Sequence, residues 1–152
     1  MSPEREILEK WVGRVADSYA AQSAAVRAPE PDPFCNPVGF LVRRSLSQLW
    51  EQLLGEMDPV VIDRALDAVM RLRAVQDISP GEAVGFVVQL RPLLQELPAE
   101  RDRALLAGRV NQMAMAASDK YAECRQQIAT IRVHEMERSV HQRRTIAEKG
   151  RE

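Results

Sequence analysis

The sequence predicts an all-α protein, a bundle of about five helices ending in one long C-terminal helix. Three observations carry this. Apolar residues recur at three- and four-residue steps along most of the 152 residues. Four capper–proline pairs, Ser2-Pro3, Asn36-Pro37, Asp58-Pro59 and Ser79-Pro80, stand where such apolar faces begin. No alternating strand pattern or hairpin turn pair appears. The length suits a single domain over residues 1–152, with residues 125–152 as a projecting helical tail.

In the first helix, Ile7, Leu8, Trp11, Val12, Val15 and Tyr19 form the apolar face, and Glu4 and Glu6 complement the dipole. It fades through an Ala-rich stretch near Val26, and Ala28 to Pro33 reads as an extended connection. Asn36-Pro37 opens a second helix faced by Leu41, Val42, Leu46, Leu49, Leu53 and Leu54, stopped by Gly55. Asp58-Pro59 opens a third, faced by Ile62, Ala65, Leu66, Val69 and Leu72 and ending around Val75 to Asp77. Ser79 and Glu82, three apart, form a capping box for a fourth, with Ala83, Phe86, Val87, Leu90, Leu94 and Leu97 inward. Pro92 predicts a kink or break near Val88 to Pro92, because its ring clashes with the carbonyl four residues back. From about Ala99, Leu106, Val110, Met113, Ala117, Tyr121, Cys124, Ile128 and Ile131 make a near-heptad seam. A helix of about 45 residues would run about 68 Å, against about 27 Å for its neighbours, unless Gly108 or Ser118-Asp119 breaks it. Its overhang therefore calls for a partner, and a second copy of the chain is the simplest one. The expected dimer seam is Tyr121, Cys124, Ile128 and Ile131.

Composition excludes several functions. With 21 basic and 22 acidic side chains the net charge is -1, which argues against a general nucleic-acid surface. The tail from Arg125 holds seven Lys/Arg and four Asp/Glu, a solvated helix end rather than a dense basic patch. No segment reads as a signal peptide or membrane span, so the cytoplasm is expected. Cys35 and Cys124 read as two reduced thiols. His134 and His141, seven apart, are about 10 Å apart along a helix, too far for one metal ion. No metal, cofactor or assembled catalytic set is expected.

Two segments share the same internal chemistry. One is Phe34-Cys35-Asn36-Pro37-Val38-Gly39, the other Arg73-Ala74-Val75-Gln76-Asp77-Ile78-Ser79-Pro80-Gly81-Glu82-Ala83-Val84-Gly85-Phe86. Both are foremost helix starts. Gly39 and Gly85 each cost about 1 kcal/mol of helix propensity against Ala, which close helix approach would offset. An Arg73–Asp77 pair would link the cap motifs, and Arg71 and Arg73 suit a helix C-terminus. Phe34, Cys35, Asn36, Gly39, Arg73, Gln76, Asp77, Ser79, Gly85 and Phe86 are the candidate residues for a pocket or partner surface.

These segments, with Tyr121-Ala122-Glu123-Cys124-Arg125 and Arg132-Val133-His134-Glu135, resemble the RsbRD N-terminal domain family. Cys35 departs from the small residue common there, and Pro92 interrupts a helix expected to be continuous. The resemblance implies a sensory or regulatory input module. In the name-giving proteins such a domain precedes a STAS domain that works with the switch kinase RsbT. Without a STAS or kinase segment, a stand-alone regulator is the expected form. Related stress-regulator input domains are similar to globins without haem, which makes a globin-like arrangement an alternative. The expectation is a non-enzymatic module in bacterial signalling that binds a protein partner and dimerises through its last helix. The alternative is a small-ligand or redox sensor using a buried pocket, Cys35 or Cys124.

Overall fold

The computed structural model describes residues 2–19, 22–76 and 78–151. Among these every regular element is helical: α1 (Pro3–Asp17), α2 (Ser23–Arg27), α3 (Pro37–Leu54), α4 (Pro59–Val75), α5 (Pro80–Val88), α6 (Leu90–Leu93), a 3-10 turn (Leu94–Glu96) and α7 (Arg103–Lys149). Among the described residues the five expected helices are α1, α3, α4, α5 and α7, joined by two short pieces, α2 and α6. α2 and α6 are single-turn pieces that periodicity cannot distinguish from their neighbours.

Each capper–proline start is a true helix start. Ser2 Oγ accepts from the Arg5 N–H, Asp58 Oδ1 from Val60 and Ser79 Oγ from Glu82. Asn36 Oδ1 accepts from Gly39, while its Nδ2 donates to the Ala25 carbonyl at 2.7 Å. One side chain thereby caps α3 and ties it to α2. α5 stops at Val88, four residues before Pro92, where the proline ring would otherwise meet that residue's carbonyl. The chain resumes as α6 with the apolar phase kept, so Leu90, Leu93, Leu94 and Leu97 are all buried.

α7 packs chiefly on α4 and α5, and α3 packs on α4. α1 covers the far side against α2, α3 and the α6 segment. Trp11, Leu46, Leu49, Leu66, Met70, Phe86 and Val110 sit in one continuous core. α7, opened by Asp102, runs unbroken for 47 residues through Gly108 and Ser118-Asp119. At 1.5 Å per residue that is about 70 Å. From Ala129 to Arg151 every residue is exposed, apart from half-covered Ser139 and Thr145.

Candidate functional site

The second motif folds around a buried guanidinium. Arg73 is 1% exposed. Its plane lies between two rings, 4.8 Å from the Tyr19 centroid and 5.1 Å from that of Phe86. It donates to Ser18 Oγ at 2.8 Å and to the Glu82 carbonyl at 3.3 Å. Among the described residues, ring faces and neutral acceptors surround it, a form of cation stabilisation suited to Arg's flat, weakly hydrated head. Arg73 Nε and the Tyr19 hydroxyl have no hydrogen-bond partner among the described residues. Burial raises the Tyr19 pKa, and the nearby Arg73 charge partly offsets this. Trp11 closes the cluster, donating from Nε1 to the Phe86 carbonyl at 2.6 Å and stacking on the Phe86 ring. The expected Arg73–Asp77 pair involves Asp77, which lies outside the described residues. Arg71 pairs with Asp67 one turn back, which raises its pKa above its ordinary value.

The third motif grips the second. The Tyr121 hydroxyl donates to the Ile78 carbonyl at 2.6 Å, and Arg125 donates to the Ala74 carbonyl at 2.8 Å. Both carbonyls flank the α4–α5 corner, so α7 clamps the end of α4 to the start of α5. Gln76 and Ser79 are exposed at this corner, while Phe86 is buried.

The first motif stands apart. Among the described residues no hydrogen bond or ion pair joins it to the second. Asp32 Oδ1 accepts from the Phe34 and Cys35 N–H groups in a tight turn that leaves Phe34 92% exposed. Cys35 is exposed beside it. Gly39 is buried against α2: a Cβ there would come within 2.2 Å of the Ala25 carbonyl oxygen. Gly85 does not share this role, because a Cβ there would meet nothing within 4 Å.

The four seam residues divide. Tyr121 and Cys124 are 4% and 2% exposed, in the chain's own core against α4 and α5. They have no face left for a second copy. Ile128 is partly covered by the same core, and Ile131 is 55% exposed, beside Val75. Burial also raises the Cys124 thiol pKa, with Asp67 adding to it.

Sequence reasoning missed Lys120. Its side chain, 11% exposed, contacts Asp63 at 2.9 Å and Glu123 at 3.0 Å, with Asp67 at 4.0 Å. Hydrogen bonding to Asp63 and Glu123 raises its pKa well above the ordinary 10.5. The i, i+3 spacing to Glu123 is visible in the sequence, but Asp63 arrives only with α4. Beside Lys120 a cleft of about 400 Å³ opens between α4 and α7, with Met57, Ile62 and Met113 as apolar wall and Asp63, Asp119 and Glu123 as acidic rim. His134 and His141 stand on the exposed tail, with His134 3.9 Å from Glu137. No described helix is long and apolar enough to cross a membrane.

Comparison with known proteins bears on these motifs. A model of the RsbT co-antagonist protein rsbRD N-terminal domain matches residues 5–136. An uncharacterized protein of Archaeoglobus fulgidus is 25% identical over 148 residues, covering 93% of this chain and 90% of that one. No solved structure matches significantly. The family match spans all three motifs, from the turn at Phe34 to the Tyr121–Arg125 clamp and beyond. The chain belongs to the RsbRD N-terminal domain family.

Proposed function

We propose that the chain is a non-enzymatic regulatory module of cytoplasmic stress signalling, acting through protein contacts made by the exposed half of α7. One observation carries this reading. Beyond Ala129 the helix leaves the body of the bundle, and Ile131, Val133, Met136, Val140 and Ile146 stand about half or more exposed on it. Apolar side chains held on a rigid helix of this length mark a surface that a partner covers. The family name, a co-antagonist of RsbT, points the same way, to action on another protein. The second and third motifs act as scaffold: they lock α4, α5 and α7 together and so hold the projecting helix at a set angle. Self-association through this helix is part of the reading.

Light scattering at micromolar concentration tests self-association, and a mass of two chains is expected. A single-chain mass would remove the homodimer. Partner binding is tested by comparing immobilised wild type with the Val133→Glu/Val140→Glu double variant. Captured partners should be lost on the variant and retained on Phe34→Ala. The opposite pattern would move the partner surface to the α2–α3 turn.

A second reading, a small-ligand sensor, rests on the cleft beside Lys120. Its size suits a small molecule, and its acidic rim over an apolar wall suits a cationic one. A native mass spectrum carrying a bound small molecule, lost on Ile62→Trp, would favour it.

A further inference from the structure

The face of α7 opposite the core carries a second seam. Ala122, Gln126, Ala129, Val133, Met136 and Val140 follow one another in alternating steps of four and three, and all six are exposed. The seam is out of phase with the buried row of Ala117, Tyr121 and Cys124 by a little over a third of a helical turn, about 130°. It therefore stays open along the bundle as well as along the overhang. Asp119 extends it at one end and Arg143 at the other, about 36 Å away. Both are exposed, and neither makes an ion pair among the described residues.

The spacing of this seam is self-complementary when reversed. Turned end for end about a two-fold axis near Ile131, it places Ala129 opposite Val133, Ala122 opposite Val140, and Gln126 opposite Met136. Small residues face branched ones, which lets the helices approach closely. The same rotation places Arg143 opposite Asp119. Arg144 then falls opposite Ser118, next to Asp119 on the acidic rim of the Lys120 cleft. The end of the chain is correspondingly basic, with Arg138, Arg143, Arg144, Lys149 and Arg151 against Glu148 and Glu152. A parallel, in-register pair would instead stack Asp119 on Asp119 and Arg143 on Arg143, placing like charges face to face. The antiparallel pair also keeps the two bundles at opposite ends, because each tail lies along the outer face of the other α7.

We propose that a second copy of this chain docks antiparallel on the outer face of α7, with the basic end of each helix seated at the acidic cleft rim of the other. This rests on the self-association proposed above and assigns its face, direction and register. Isologous pairing makes each charge contact occur twice, so single substitutions act at two places.

The test uses the full chain and its dissociation constant by analytical ultracentrifugation. Asp119→Arg and Arg143→Glu should each raise the constant about tenfold, and the double variant D119R/R143E should return it to near the wild-type value. Both positions are exposed, and unchanged helix content by circular dichroism verifies the fold. Separately, Ala122→Cys and Val140→Cys chains in a C35S background should cross-link with each other on oxidation and not with themselves. A wild-type monomer would overturn this proposal together with the self-association it rests on. A dimer in which the double variant is weaker than either single, or in which each cysteine variant cross-links only to itself, would overturn the antiparallel seam alone.

Discussion

A Cβ at position 39 would lie 2.2 Å from the Ala25 carbonyl oxygen and 2.4 Å from the Asn36 amide nitrogen. Gly39→Ala should therefore force α2 and α3 apart and lower stability by about 2 kcal/mol or more, read from a denaturant midpoint. Gly85 is interior to α5 with open space around it, so Gly85→Ala should gain about 0.5–1 kcal/mol of helix propensity. A loss at both positions would mean that α5 is packed more closely than described. Arg73 invites a sharper comparison. Arg73→Ala empties a fully buried site and should cost about 2–4 kcal/mol. Arg73→Met keeps volume and removes a cation without a carboxylate partner among the described residues, so it should lie within about 1 kcal/mol of wild type. If Met is as harmful as Ala, the charge itself is indispensable. The thiols differ as well. Near pH 8 only Cys35 should react with Ellman's reagent in the folded chain, and both after unfolding. Since burial raises the folded Cys124 pKa above the ordinary 9.0, its contribution to stability is complete below that value and is lost as pH rises through the folded one. Equal reaction rates in the native state would contradict the burial of Cys124.

Between elements, a few long-range donors set the geometry. Tyr121 and Arg125 reach from α7 to carbonyls on either side of the α4–α5 corner, and Arg109 donates to the Leu53 and Gly55 carbonyls at the end of α3. Arg125 and Arg109 satisfy carbonyls that a helix C-terminus leaves open, and Tyr121 satisfies one in the α4–α5 connection. Tyr121→Phe should cost about 1–2 kcal/mol by stranding the Ile78 carbonyl. It should also raise amide exchange at the α5 start more than in α1. Uniform exchange would show that the clamp is not local. At this scale much was legible beforehand. The capper–proline pairs located four helix starts because capping is a local interaction, and Pro92 located the break because its clash reaches only four residues back. The seven-helix count was not legible, because α2 and α6 are too short for periodicity to register.

Taken whole, the molecule is a bundle with one helix about twice as long as the body it braces. Residues after Ile131 contribute no core side chain, so a chain ending at Arg132 should unfold within about 0.5 kcal/mol of the full one when compared as monomers. A large loss would place the tail in the fold rather than on its surface. The sequence by itself determined the helical class, the helix starts and the inward row on α7, because these follow from short-range periodicity and capping. The same row was read as a dimer seam because a one-dimensional pattern records that a face is apolar without recording what covers it. Only the tertiary structure decided that α4 and α5 take Tyr121 and Cys124, that Arg73 sits between Tyr19 and Phe86, and that Lys120 gathers Asp63 and Glu123. Those contacts join residues far apart in the chain, and their partners are set by how helices cross rather than by spacing along any one of them.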